Sequence, residues 1–156
     1  MSWKGHLDHI HICAKGADAM TELQEAKLVA GKGIEGDRYF LGTGTYSDKP
    51  APDRQVTLIE SETLEALARD HNMQLTPVES RRNLTVTGVP LNHLVGKRFK
   101  VGDVVLYGGR LNTPCKYLDD LLGKKLFKLL LNRSGLNCEI VEGGVIRPGD
   151  TVEWME

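Results

Sequence analysis

The feature that most limits this chain is a series of short alternating apolar runs broken by glycine-centred turns. Val56 and Leu58 share one face of a run over residues 55–60, and Leu84 and Val86 share a face of another. Residues 99–106 read as strand, turn, strand around Gly102-Asp103, and residues 146–154 repeat the Gly-Asp reversal followed by alternation. With residues 7–13, 26–30 and 138–141 added, the count comes to about seven or eight short strands with glycine-rich turns, a mainly β pattern that agrees with a barrel. Helical spacing is confined to two places. Ser61 is placed to cap a helix carrying Leu64, Leu67 and Ala68 and ending near His71-Asn72. Leu118, Leu121 and Leu122 form a second stripe, which Leu126, Leu129 and Leu130 resume after Gly123 until Gly135 stops it.

A chain of 156 residues is expected to form one domain over 1–156. The three cysteines, at positions 13, 115 and 138, form no CxxC pair and no disulfide framework, which fits a reducing compartment. A net charge of −1 gives no basic field for nucleic acid. No apolar run reaches the length of a membrane span, and residues 1–5 carry no signal-peptide core. The expectation is a cytoplasmic protein with neither a nucleic-acid nor a membrane partner.

Chemistry concentrates in Arg110-Leu111-Asn112-Thr113-Pro114-Cys115-Lys116, which follows a Gly108-Gly109 turn and leads into the second helix. Thr113 suits an N-cap and Pro114 the first helical position, so Cys115 falls in the first turn, beside unpaired N–H groups and the positive helix end. Lys116 and Arg110 add positive charge. These surroundings favour the thiolate, the form that attacks electrophiles and binds soft metals. Cys138 sits in a strand-like run and reads as an inert core thiol.

Other motifs carry less. Ile10 and Ile12 point to one side of the first strand and His9, His11 and Cys13 to the other, which is read as a polar strand face, since no second ligand cluster accompanies it. Gly31-Lys32-Gly33-Ile34-Glu35-Gly36 is a literal GxGxxG, but no helical period follows it, so it is read as a turn and not as a dinucleotide site. Residues 43–53 read as a loop able to close over a site. Arg81, Arg82 and Asn83 cluster at a strand start; strand geometry splays adjacent arginines, so one is expected to face any site, with Glu79 a ready ion-pair partner.

Taken together, the segments resemble the MOSC domain, named for the C-terminal domain of molybdenum-cofactor sulfurases, in its stand-alone bacterial form. The resemblance rests on Gly33-Ile34-Glu35-Gly36-Asp37-Arg38-Tyr39, Arg54-Gln55-Val56-Thr57-Leu58-Ile59-Glu60, Arg81-Arg82-Asn83-Leu84, Leu94-Val95-Gly96, Val101-Gly102-Asp103-Val104, Pro114-Cys115 and Gly143-Gly144-Val145-Ile146-Arg147-Pro148-Gly149-Asp150, in that order. It implies a small mixed β-barrel with peripheral helices, likened to the pyruvate-kinase barrel domain. It also implies a pterin molybdenum cofactor, with Cys115 as the molybdenum ligand and catalytic thiol, and Asp37, Arg38, Arg81, Asn83 and Thr113 helping to hold it. The pyridoxal-phosphate desulfurase domain of the sulfurases is not matched, so no pyridoxal phosphate is expected. Asn112-Thr113 departs from closer relatives, which often carry an acidic or second cysteine-bearing stretch before the Pro-Cys; the departure bears on the substrate. Two functions follow: a molybdenum-dependent reductase of N-hydroxylated small molecules fed by an external electron-transfer protein, or a carrier delivering sulfur or cofactor to a molybdoenzyme.

Overall fold

The computed structural model describes residues 2–45, 51–114 and 116–156. Among them run strands β1 (Lys4–Ile12), β2 (Thr21–Leu23), β3 (Ala26–Val29), β4 (Gly33–Ile34), β5 (Val56–Glu60), β6 (Leu84–Thr87), β7 (Arg98–Val101), β8 (Val104–Leu111), β9 (Leu136–Glu142), β10 (Gly144–Ile146) and β11 (Thr151–Trp154). The helices are α1 (Arg38–Leu41), α2 (Ser61–His71), α3 (Pro77–Ser80) and α4 (Lys116–Leu122). No helix among the described residues is long and apolar enough to cross a membrane.

Seven strands close the expected barrel in the order β1-β11-β7-β8-β9-β5-β6 and back to β1. Neighbours are antiparallel except β5 and β6, which run parallel because α2 and α3 carry the chain across between them. β2 extends the sheet beyond β1, and β10-β3-β4 form a second small sheet. Alternation divides the apolar residues into two sets. Leu58, Leu84, Phe99, Leu106 and Ile140 fill the barrel. Ile59, one residue on from Leu58, packs instead with Leu64, Leu67, Leu118, Leu126 and Leu130 beneath α2 and α4. Burial of each such side chain stabilises by about 1.5–3 kcal/mol.

Several local expectations change. Gly108 and Gly109 do not turn; β8 runs through them with a shift of register against β9. They are glycines because a Cβ on Gly108 would lie 2.0 Å from Leu94 O and one on Gly109 would lie 2.2 Å from the Asp53 Cβ. A bulge between Leu7 and His9 shifts the phase of β1, so Leu7 and Ile10 both reach the core; beyond it Ile12 packs against that core as expected, while His11 and Cys13 on the other face are buried as well. Ser61 is the first residue of α2 and not its cap; its hydroxyl is taken up by Thr87 Oγ1 at 2.6 Å. The helix ends as expected, with Asn72 left-handed at φ 50°. The long leucine stripe is not one helix: α4 stops at Leu122, and Leu126 and Leu130 reach the same core from turns. Pro114 is not helical and Lys116 is the first described residue of α4; the expected place of Cys115 in the first turn lies outside the described residues. Of the 43–53 loop, residues 46–50 lie outside the described residues.

Candidate functional site

Where β8 ends and β6 and β9 begin, the barrel rim carries a cavity of about 280 Å³. Five of the chain's nine arginines line it, Arg38, Arg54, Arg81, Arg82 and Arg110, and none of the described lysines does. The acids in its wall are Asp53 and Asp119. Asp119 is occupied with chain structure, accepting from Leu126 N at 3.0 Å and Phe127 N at 3.4 Å. Asp53 pairs through Oδ2 with Arg110 at 2.8 Å, while its buried Oδ1 finds no partner among the described residues.

Arg38 enters the cavity from a helix of a single turn. Asp37 caps that turn by accepting from Tyr39 N, and Gly42 closes it with φ 71°. A glycine-rich approach followed by this turn places a short helix where no helical period was visible. The Arg38 guanidinium donates to Asp37 Oδ1 at 3.1 Å and to Arg81 O at 3.1 Å, and it lies 4.6 Å from the Tyr39 ring centroid. Burial pushes its pKa down, but Tyr39, Asp37 and Cys13 more than offset this and raise it.

Arg81 and Arg82 do not splay, because neither is on a strand. A capping box of Thr76 and Glu79 with Pro77 in the first turn starts α3, and Arg81 terminates it in the left-handed conformation at φ 59°. β6 begins only at Leu84, so both arginines turn toward one cavity. Glu79 does not pair with either; it binds Lys124 at 2.9 Å, which helps hold its carboxyl below the ordinary range. Arg81 donates to Asp18 O at 2.7 Å. Arg82 is woven into the opposite wall: Nε donates to Ser134 O at 3.0 Å, Nη1 to Ser80 O at 3.2 Å, and Nη2 to Asn112 Oδ1 at 2.7 Å and Ser134 Oγ at 2.9 Å. Asn112 in turn donates to Asn137 Oδ1 at 3.0 Å.

Of the residues singled out from sequence, Arg38, Arg81 and Thr113 line the cavity. Asp37 and Asn83, both fully buried, stand behind it. Asn83 accepts from Thr57 N at 3.0 Å and donates to His11 O at 3.1 Å, tying β5 and β6 to β1. Cys115 lies outside the described residues; its neighbours Pro114 and Tyr117 line the cavity. Cys138 is buried in the barrel, and desolvation pushes its thiol well above the ordinary range, as suits an inert residue. Among the described residues no cluster of His, Cys, Asp and Glu could hold a metal ion. Sequence did not single out Arg54, Tyr39, Tyr117 or Asn137 as cavity residues. Arg54 and Tyr39 each stood at the end of a motif that carries the resemblance, Arg54 opening residues 54–60 and Tyr39 closing residues 33–39; Tyr117 and Asn137 carried no local signal.

The fold has clear relatives. The YuaD protein of Bacillus subtilis shares 18% identity at a TM-score of 0.82, over 100% of this chain and 99% of that one. YiiM from Geobacillus stearothermophilus shares 16% identity at a TM-score of 0.75, over 97% of this chain and 75% of that one. YiiM from Escherichia coli shares 18% identity at a TM-score of 0.69, over 97% and 70%. No curated protein matches the sequence. The family model for the MOSC domain matches residues 35–153, a span that takes in every arginine of the cavity. The chain therefore belongs to the MOSC domain family, a family associated with molybdenum-cofactor binding.

Proposed function

We propose that the arginine-lined cavity binds the molybdenum cofactor by its phosphate, and that the loaded protein reduces N-hydroxylated small molecules with electrons from an external redox protein. The observation that carries this reading is the gathering of five arginines around one cavity in a chain of net charge −1. Guanidinium forks match the oxygens of a phosphate, and amide and hydroxyl groups of Asn137, Asn112 and Thr57 in the same wall suit the polar edge of a pterin. The volume of about 280 Å³ is at the lower end for a small-molecule site. The residues present thus fit the group.

Arg38 and Arg81 would hold the phosphate, backed by Asp37 and Asn83, and Thr113 would stand beside the thiol ligand Cys115. The bound cofactor supplies the electron-transfer chemistry; the chain binds it, orients it and shields the site from water. Protein purified from a host able to make the cofactor is expected to carry molybdenum and pterin in equal amounts. Loaded protein given an artificial reductant and an N-hydroxylated purine is expected to turn over many times, and Cys115→Ala is expected to abolish this. No turnover, together with transfer of labelled sulfur or intact cofactor to an apo-molybdoenzyme, would establish a carrier instead.

A further inference from the structure

Just past β1, behind the cavity wall, Cys13 is 3% exposed. Its sulfur receives two guanidinium N–H groups, from Arg38 Nη1 at 3.6 Å and from Arg81 Nη2 at 3.6 Å. The thiol donates its own proton to Lys15 O at 3.2 Å, and the Cys13 backbone N–H donates to Asp37 Oδ1 at 3.1 Å. Among the described residues, Cys13 is the one whose side chain bonds to both arginines. Neither partner is near it in sequence, since Arg38 is 25 residues away and Arg81 is 68.

We infer that Cys13 is a positioning residue that sets the spacing of the Arg38 and Arg81 guanidiniums, and through them the cavity's grip on a phosphate-type anion. The inference rests on the reading of the cavity as an anion site. Two buried like charges repel and separate unless something between them accepts from both. A carboxylate there would accept strongly and would also cancel one of the charges the anion needs. A sulfur whose own proton is engaged by Lys15 O can take both guanidinium N–H groups through its lone pairs without adding a second carboxylate beside Asp37, which already pairs with Arg38 at 3.1 Å. Long N–H···S contacts guide the two forks without competing with phosphate oxygens, which are far better acceptors.

The test uses the full chain without cofactor and inorganic phosphate as the probe, with affinity measured by calorimetry and folding checked by thermal unfolding. Cys13→Ser keeps a neutral acceptor and is expected to bind within about twofold of the original. Cys13→Ala is expected to bind about five- to tenfold more weakly, and Cys13→Asp at least about tenfold more weakly. Should the alanine variant not fold, the contrast between serine and aspartate carries the test. Equal phosphate affinity in folded Cys13→Ala and the original, or in Cys13→Asp and Cys13→Ser, would overturn the role of Cys13 while leaving the anion site intact. An original chain that binds no phosphate would overturn the anion reading of the cavity, and the role of Cys13 with it.

Discussion

The two walls of the cavity fix their arginines by different means. On the β8–β9 side, Arg82 commits its donors to a closed network of Ser80, Ser134 and Asn112, which extends to Asn137. On the α1–α3 side, Arg38 and Arg81 rest on carbonyls and the sulfur atoms of Cys13 and Met20, with a single carboxylate, Asp37, behind them. The first arrangement is scaffolding: Arg82 sutures the approach to Thr113 and Pro114 onto the start of β9. The second holds two cations in place with weaker acceptors and only partial neutralisation, which suits groups that must bind something else. Lining the same cavity is therefore no guide to role; what each guanidinium already bonds is.

The largest expected effect tests the scaffold wall. Arg82→Ala removes the donors to Ser134 O and Ser80 O and leaves Asn112 Oδ1 with Ser134 Oγ alone, and should lower stability by about 3 kcal/mol, read from the denaturant midpoint. Arg82→Lys should recover little, because an ammonium cannot reproduce the fork. An Arg82→Ala protein as stable as the original would erase the distinction between the walls.

Arg81→Gly sharpens the comparison from the other side. Glycine relieves the left-handed backbone at φ 59° while removing the guanidinium. Stability should stay within about 1 kcal/mol of the original, while phosphate affinity falls at least about tenfold. Loss of stability on the scale of Arg82→Ala would mean that Arg81 is scaffolding too.

His11 adds a pH dependence to the same wall. It is buried, its Nδ1 has no partner among the described residues, and desolvation lowers its pKa. The folded value lies below the unfolded one, so as pH falls the unfolded chain takes up the proton first. The stability His11 contributes is fully present above its ordinary value of about 6.5 and is lost as pH falls through it toward the folded value. Denaturation midpoints between pH 8 and 5, with His11→Gln as control, should show this slope in the original alone; equal slopes in both would remove His11 from the account.

The smallest effect concerns the support of α3. The Lys124–Glu79 pair is partly exposed, with both side chains at 27%, so Lys124→Ala should cost under about 1 kcal/mol and leave phosphate affinity unchanged. A clear fall in affinity would show that α3 needs this tether to aim Arg81.

What sequence revealed and what it hid divide along the same line. Alternation in residues 55–60 and 84–87 was visible because burial of one strand face imposes a period of two. The clustering of Arg81 with Arg82 was visible, but their direction was not, since it depends on a left-handed residue that only the packing of α3 selects. The burial of Cys13 and His11, on the face opposite Ile10 and Ile12, was hidden because segments distant in sequence cover that face, with Asp37 accepting from Cys13 N and Asn83 donating to His11 O. The contacts of Cys13 with Arg38 and Arg81 are invisible in any local window, as are those of Asn137. The resumption of the leucine stripe after Gly123 was misleading for a related reason: turns can deliver leucines to a core at the same spacing as a helix.

The barrel is closed by β1 against β11, with Lys4 opposite Glu153 and His6 opposite Thr151. The first and last staves are therefore neighbours, and the ring is incomplete until the last strand has been made. During synthesis β1 and β7 both wait with a bare edge for a strand that leaves the ribosome after them. Such distant pairing predicts slow folding for the chain's size. It also makes residues 151–154 a checkpoint: a chain that stops short of them retains the arginines of the cavity and lacks the strand that locks the ring around them.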